Sequence, residues 1–268
     1  MSSPPNPTYT VLSCHFGDPF WISHLLTTLE GFADPRIQSV VVVDQSRSSQ
    51  GLLKGLPGVI DVLEFPVDDS QMDIGGHDHP ASLDRALTTY PFATSHVILL
   101  DSDAFPVSPE WLDHVSDITL AQVPGSEGAL THPCFMVFPV GAIKDMNFSE
   151  GFVDRVDHDT RVAFDTGRMI GRQLREAGHT VATTPATPGF GGFRGDYYLD
   201  GQVYHHGHAS HTAVRKDLQV FVSAKSEEIW KKKIARGDMT LSLRDYGRLG
   251  LAYLTRRVAN KVEKFRRA

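Results

Sequence analysis

The first hundred residues of the chain contain short runs of β-branched and other apolar residues. Polar turns and segments with helical spacing of apolar residues separate these runs. Runs of this length that are bounded by turn residues predict buried β-strands. We place four strands at residues 10–13, 39–43, 59–65 and 96–100.

Two helices are predicted between these strands. The first begins at Asp18-Pro19, because an Asp can cap a helix and a Pro suits its first turn; Pro80 opens the second. Strands that alternate with helices through short connections predict an α/β fold with a mostly parallel central sheet flanked by helices. The apolar faces of the helices are Trp21, Ile22, Leu25, Leu29 and Phe32 in the first and Leu83, Ala86, Leu87 and Tyr90 in the second.

The second half of the chain continues the pattern less regularly. We predict a short helix near Trp111, a strand at residues 132–140, a helix at residues 165–177 that Gly178 stops, and a strand at residues 179–182. The glycine-rich segment 189–195 is either a mobile lid or a plain surface loop. The economical division is a flexible lead (1–8), one catalytic domain (9–211) and a helical extension (212–268).

Composition is that of an ordinary globular protein, with 41% hydrophobic and 22% charged residues among 268. Cys14 and Cys134 both lie in apolar segments without metal-ligand spacing, so we expect buried free thiols in a reducing compartment. The Ser/Pro-rich start does not resemble a signal peptide, and no apolar stretch reaches the roughly 20 residues of a membrane span. A cytoplasmic location is the expectation.

The charge is divided unevenly along the chain. Residues 1–210 carry 11 basic and 26 acidic side chains, whereas residues 211–268 carry 15 and 6. From Leu241 to Phe265, apolar residues recur at near-helical spacing between Arg and Lys. Such a basic amphipathic helix can bind an anionic membrane surface, here the inner face, or it can pack on the body with a solvated charged face. Nucleic acid is not an expected partner, because the body is acidic.

The strand at residues 96–100 ends directly in Asp101-Ser102-Asp103. In open α/β folds, ligands bind at the carboxyl edge of the sheet, which is where this strand delivers both carboxylates. Oxygen ligands of this kind suit Mg²⁺ or Mn²⁺ holding a diphosphate.

Four further segments accompany this motif along the chain. The five segments are a strand ending in Asp44 (40–46), a glycine-rich helix entry (75–87), the Asp101 motif (101–106), an acidic helix start (164–179) and a histidine-rich segment (204–211). Together, and in this order, they resemble the family 2 glycosyltransferases, which are inverting enzymes of the GT-A fold that use nucleotide-activated sugars. The resemblance covers about residues 10–211.

The resemblance implies a donor site. Asp44 would accept hydrogen bonds from the nucleotide base, and the segment with Ser13 and His15 would lie against base and ribose. The helix entry at Gly76 would approach the diphosphate through backbone N–H groups. Asp101 would contact the ribose or the metal-bound water.

It also implies a metal site and a general base. Asp103 and Asp101 would hold Mn²⁺ or Mg²⁺ with His205, for which His206 and His208 are alternatives. Asp165, or alternatively Asp157 or Asp159, would deprotonate the acceptor hydroxyl as it attacks the anomeric carbon.

The implied reaction is transfer of a hexosyl or deoxyhexosyl group from a nucleoside-diphosphate sugar to a glycan, a lipid-linked acceptor or a small molecule, with inversion. Two other classes remain: a metal-dependent hydrolase that uses the His and Asp clusters, and a non-catalytic sugar-nucleotide binding module. Donor sugar, acceptor and oligomeric state are not predicted.

Overall fold

The computed structural model of the protein places the strands in two sheets. Its described residues are 6–16, 18–45, 53–56, 58, 61–65, 78–123, 130–150, 166–189, 194–207, 224–240, 242 and 245. In chain order the strands are β1 (Tyr9–His15), β2 (Ile37–Asp44), β3 (Asp61–Glu64), β4 (His96–Asp101), β5 (Ala104–Pro106), β6 (Thr119–Gln122), β7 (Thr131–Pro139), β8 (Ala182–Thr184), β9 (Thr187–Pro188), β10 (Asp196–Tyr198) and β11 (Val203–His205).

Helices flank the larger sheet on both sides. Among the helices that the structure describes, none is long and apolar enough to cross a membrane. The α-helices are α1 (Pro19–Phe32), α2 (Asp78–Thr89), α3 (Ile170–Glu176) and α4 (Ala224–Ile234), and short 3-10 helices occupy Leu53–Gly55, Trp111–His114 and Val140–Asp145.

The larger sheet has the order β3-β2-β1-β4-β7-β6-β8. Its first four strands run parallel, β7 is antiparallel to β4 and to β6, and β8 is parallel to β6. The predicted α/β fold with a mostly parallel central sheet flanked by helices is therefore confirmed. A smaller antiparallel sheet, β5-β11-β10-β9, follows directly from the end of β4.

Both faces of the larger sheet are buried, which explains why its central strands are continuously apolar. Alternate residues of each strand point to opposite faces: Val11 packs in the cluster with α1, and its neighbour Leu12 packs in the cluster with α2 and α3. Trp230 and Ile234 of α4 join the α1 side. The predicted division at residue 211 remains a prediction, and most of the predicted basic helix from Leu241 onward lies outside the described residues.

Several boundaries differ from the predictions. β2 begins at Ile37 instead of residue 39, and α2 begins at Asp78 instead of Pro80. β1 runs from Tyr9 to His15, two residues beyond the predicted end at residue 13, so His15 is a strand residue. The helix predicted from residue 165 begins only at Ile170, because Gly167 adopts a left-handed backbone (φ 69°) that interrupts a right-handed helix. The strand predicted at residues 179–182 starts only at Ala182.

Candidate active site

Three parallel strands end side by side at one edge of the sheet. In the register of β1 with its neighbours, His15 lies opposite Asp44 of β2, and Cys14 lies opposite Asp101 of β4. The backbone N–H of Gln45 donates to the carbonyl of His15 (2.9 Å), which holds the end of β2 against β1. This edge therefore gathers four of the residues that the sequence assigns to donor binding: Ser13, His15, Asp44 and Asp101.

Ser13 and His15 are fully buried at this edge. Among the described residues, neither the Ser13 hydroxyl nor either ring nitrogen of His15 has a hydrogen-bond partner. Burial lowers the pKa of His15, although the Asp44 and Asp18 carboxylates oppose this effect. A buried polar group without a partner costs about 1–3 kcal/mol. Such groups point to a ligand that supplies the missing partners.

The Asp101 motif meets β11 through a strand pairing. Asp101 ends β4, Asp103 precedes β5, and β11 pairs with β5 so that His205 lies opposite Ala104. The backbone N–H of His206 donates to the carbonyl of Asp103 (3.0 Å), which ties the end of β11 to the motif.

This pairing brings a ring nitrogen to the two carboxylates. Nε2 of His205 lies 3.4 Å from Oδ1 of Asp103 and 3.8 Å from Oδ2 of Asp101. The candidate ligand atoms of the three residues all lie within 4.8 Å of one another. Nε2 of His79 lies 3.9 Å from Oδ1 of Asp101, at the rim of this group. Two carboxylates and one imidazole fit the donor preference of Mn²⁺, and the carboxylates also suit Mg²⁺.

A second donor set shares His205. His132 and Cys134 of β7 also have ligand atoms within 4.8 Å of one another and of His205. The rings of His132 and His205 are 5.1 Å apart, and the backbone N–H of Cys134 donates to Nδ1 of His132 (3.1 Å). The sequence alone predicted buried free thiols without metal-ligand spacing, so this set was missed. A sequence signal for this set does exist: His132-x-Cys134 lies within one predicted strand, and residues two apart on a regular strand share a face.

Buried charges in this region influence one another. Burial opposes the charged form of His205, but the Cys134 and Asp103 side chains outweigh it and raise the pKa of His205 well above its ordinary value. Burial likewise opposes the Cys134 thiolate, yet the His205 and His132 rings lower the pKa of Cys134. By contrast, burial, with the Asp101 charge, raises the pKa of Cys14 well above its ordinary value. The two predicted buried free thiols are confirmed but differ chemically.

His206, the neighbour of His205, points to a different part of the molecule. Its ring stacks on Trp21 of α1 (4.3 Å between centroids), and its Nε2 lies 3.2 Å from Oε1 of Glu227 in α4. Its Nδ1 shares a hydrogen bond with the Tyr204 hydroxyl (3.0 Å). The structure thus groups His205, and not His206, with the aspartates.

Other predicted site residues lie outside the described residues. These are Gly76, His208 and the candidate bases Asp157, Asp159 and Asp165. The chain resumes at the buried Thr166, and the carbonyl of Gly167 accepts a hydrogen bond from the Thr131 hydroxyl at the start of β7 (2.8 Å). α3 itself is preceded by Met169 and has no side-chain cap.

The fold and this edge define an α/β protein with a cluster of candidate metal ligands at the carboxyl ends of its parallel strands. No protein-family model and no curated protein sequence matches the chain.

Solved structures do resemble it. TarS of S. aureus (residues 1–349) is 21% identical over 54% of this chain and 51% of that one, with a TM-score of 0.40. The mannosyltransferase PcManGT of Pyrobaculum calidifontis, in complex with GDP-Man and Mn²⁺, is 15% identical over 68% of this chain and 55% of that one, with a TM-score of 0.45. The matched region spans about half the length of these two structures.

A third similar structure is 4-diphosphocytidyl-2C-methyl-D-erythritol synthase of Anaerococcus prevotii. It is 10% identical over 67% of this chain and 87% of that one, with a TM-score of 0.42. At these scores the likenesses do not assign a reaction to this chain. Membership of family 2 therefore stays a prediction.

Proposed function

We propose that the protein is a metal-dependent glycosyltransferase that moves a sugar from a nucleoside-diphosphate sugar to an acceptor hydroxyl. One observation carries the proposal: Asp101, Asp103 and His205 converge at the sheet edge where Ser13 and His15 are buried without partners among the described residues. A nucleoside diphosphate has a charged diphosphate end and a heterocyclic base at the other end. The candidate metal ligands suit the diphosphate, and the unpartnered polar groups suit the base and ribose.

The donor would lie along the ends of β1, β2 and β4. Ser13 and His15 are alternate residues of β1, and Asp44 lies opposite His15 on β2, so the three side chains share one face of the sheet and could contact base and ribose together. Gly76 would contribute backbone N–H groups to the diphosphate. A divalent ion held by Asp101, Asp103 and His205, Mn²⁺ or Mg²⁺, would neutralise phosphate charge as the nucleoside diphosphate leaves.

The acceptor side of the reaction depends on a carboxylate. Asp165, or Asp157 or Asp159, would take the proton from the acceptor hydroxyl as it attacks the anomeric carbon, and one direct displacement would invert that centre. We propose a hexosyl or deoxyhexosyl donor and a glycan, lipid-linked or small-molecule acceptor. Peripheral binding to the inner membrane face through residues 241–265 belongs to the same proposal, as does the cytoplasmic location.

A metal-dependent hydrolase is the second candidate. The observation that favours it is the His132, Cys134 and His205 set, whose nitrogen and sulfur donors suit Zn²⁺. The non-catalytic module has no comparable support, since the carboxylates that would hold the metal are present.

A panel of sugar nucleotides, incubated with and without Mn²⁺ and assayed for nucleotide release, separates these candidates. A transferase releases nucleotide from one donor class only with the ion, and Asp103→Ala abolishes both release and Mn²⁺ binding measured by electron paramagnetic resonance. Glu110→Gln is the matched control, because Glu110 is an exposed carboxylate just beyond the same motif. Zn²⁺-dependent hydrolysis without any sugar-nucleotide binding would overturn the proposal.

A further inference from the structure

We propose that Cys134, His132 and His205 form a second metal site, one that takes Zn²⁺ or a chemically similar ion through the Cys134 sulfur. The site is distinct in chemistry from the aspartate set, with which it shares His205. The inference concerns metal binding alone and does not depend on which reaction the protein catalyses.

The fold brings these donors together from two sheets. His132 and Cys134 are two residues apart on β7, at the point where its register against β6 is irregular, and their ligand atoms lie within 4.8 Å of each other. His205 ends β11 of the smaller sheet, and its ring lies 5.1 Å from the His132 ring. The three ligand atoms all lie within 4.8 Å of one another, with Cys134 fully buried and His205 8% exposed.

The spacing suits a tetrahedral ion after a small contraction. In a tetrahedral zinc site with bonds of about 2.0–2.3 Å, neighbouring ligand atoms are about 3.3–3.8 Å apart. The ligand atoms of His132, Cys134 and His205 all lie within 4.8 Å of one another, so a contraction of about 1 Å or less would bring the three to this spacing. A water molecule would take the fourth position of the tetrahedron.

The donor types distinguish this set from the aspartate set. Thiolate and imidazole select Zn²⁺ and similar ions, whereas carboxylate oxygens favour Mg²⁺ and Mn²⁺. His132 is held beside the sulfur by the hydrogen bond from the Cys134 backbone N–H to its Nδ1. Because Nδ1 of the neutral ring accepts this bond, the ring proton is on Nε2. An ion that binds Nδ1 would replace the hydrogen bond, and an ion that binds Nε2 would displace the proton.

The chain contains an internal control for the sulfur. Its two cysteines, Cys14 and Cys134, are both buried free thiols, but only Cys134 belongs to the set. The test is to titrate the full-length protein with Co²⁺, a spectroscopic substitute for Zn²⁺, and to record the near-ultraviolet charge-transfer band that a sulfur-cobalt bond produces. We expect the band in the wild type and in Cys14→Ser, and its loss in Cys134→Ser. His132→Ala should weaken Co²⁺ binding by about tenfold or more.

A second measurement needs no variant. X-ray absorption at the zinc edge of the Zn²⁺-loaded wild type should show one sulfur scatterer at about 2.3 Å. Zinc bound by nitrogen and oxygen alone would overturn the proposal, as would a cobalt band that persists in folded Cys134→Ser. The outcome is separable from that of the transferase test: sulfur ligation can be found without sugar transfer, and sugar transfer without sulfur ligation.

Discussion

His205 and Asp103 are 102 positions apart in the sequence, yet Nε2 of His205 lies 3.4 Å from Oδ1 of Asp103. The contact depends on the pairing of β11 with β5 and on the backbone hydrogen bond from His206 to Asp103 (3.0 Å). The end of β4 in the larger sheet therefore supplies the two carboxylates, and the smaller antiparallel sheet beyond it supplies His205.

Ser13→Ala tests whether the buried hydroxyl at the end of β1 serves a ligand. Because that hydroxyl has no partner among the described residues, its removal should leave the free energy of unfolding unchanged or slightly increased. Nucleotide binding measured by calorimetry should nevertheless weaken by about 1 kcal/mol, or about fivefold.

Thr10→Val is the matched comparison on the same strand. The Thr10 hydroxyl is buried and shares hydrogen bonds with Ser39 (2.6 Å) and Thr94 (2.8 Å), so its loss should destabilise the protein by about 1–2 kcal/mol without affecting the nucleotide. If Ser13→Ala destabilises the protein as much as Thr10→Val does and binding is unaltered, the hydroxyl is structural.

Glu227→Ala tests how α4 is attached to the body. The Glu227 carboxylate lies 3.2 Å from Nε2 of His206 and 4.0 Å from the Arg194 guanidinium, and all three side chains are largely buried. Removing it leaves the Arg194 charge buried without that carboxylate, which should cost about 3 kcal/mol of unfolding free energy in urea denaturation.

The adjacent Glu228 provides the control. It is exposed and pairs with Lys232 one turn along α4, an arrangement that contributes only about 0.3–0.5 kcal/mol. Glu228→Ala should therefore be nearly neutral. Equal effects of the two variants on the free energy of unfolding would show that the buried contacts of Glu227 contribute no more than an exposed position of the helix does.

The sequence predicts those features that local patterns determine. The strand before Asp101 and the helix after Asp18 are such cases, since apolar periodicity and a capping carboxylate are properties of neighbouring residues; Asp18 indeed accepts a hydrogen bond from the Phe20 backbone N–H (3.0 Å). The start of α3 was missed because the left-handed backbone at Gly167 has no periodic signature. His205 was found only through a family resemblance.

His132 and Cys134 show why the second donor set was not predicted. Their closeness to each other follows from β7 being a strand, but their closeness to His205 depends on how two sheets meet beyond Asp101. That relationship is long-range, and no single segment of sequence contains it.

Asp34→Asn should reveal a carboxylate whose contribution depends on pH. Asp34 is largely buried and accepts hydrogen bonds from the Arg36 side chain (2.7 Å) and backbone (2.8 Å), and these bonds lower its pKa below the ordinary 3.8. A carboxylate with a lowered folded pKa stabilises the protein above its unfolded pKa and loses this effect as the pH falls through the folded value.

Urea unfolding should therefore separate wild type from Asp34→Asn by about 1–2 kcal/mol at neutral pH, and the difference should shrink below about pH 4. Asp113→Asn is the control, because Asp113 contacts the same guanidinium (2.7 Å) but its side chain is 62% exposed. A difference that stays constant down to the acid range would contradict the role of the charge.

Gly195→Ala tests whether the position of β11 sets metal affinity. Gly195 has a left-handed backbone (φ 69°), and a Cβ there would lie 2.6 Å from the carbonyl oxygen of His205, too close for any real contact. Since a backbone atom cannot yield as a flexible side chain can, the end of β11 must shift, and His205 must move with it.

Gly201→Ala is the matched control. Gly201 also has a positive φ (89°), but a Cβ there would meet nothing within 4 Å. Gly201→Ala should lose about 1 kcal/mol of stability through backbone strain, and Gly195→Ala should lose more, because its Cβ would also overlap the buried Tyr204 side chain. Only Gly195→Ala should weaken Mn²⁺ binding, by about tenfold or more, in electron paramagnetic resonance titrations. Equal affinities in the two variants would mean that the metal site does not depend on the strand that carries His205.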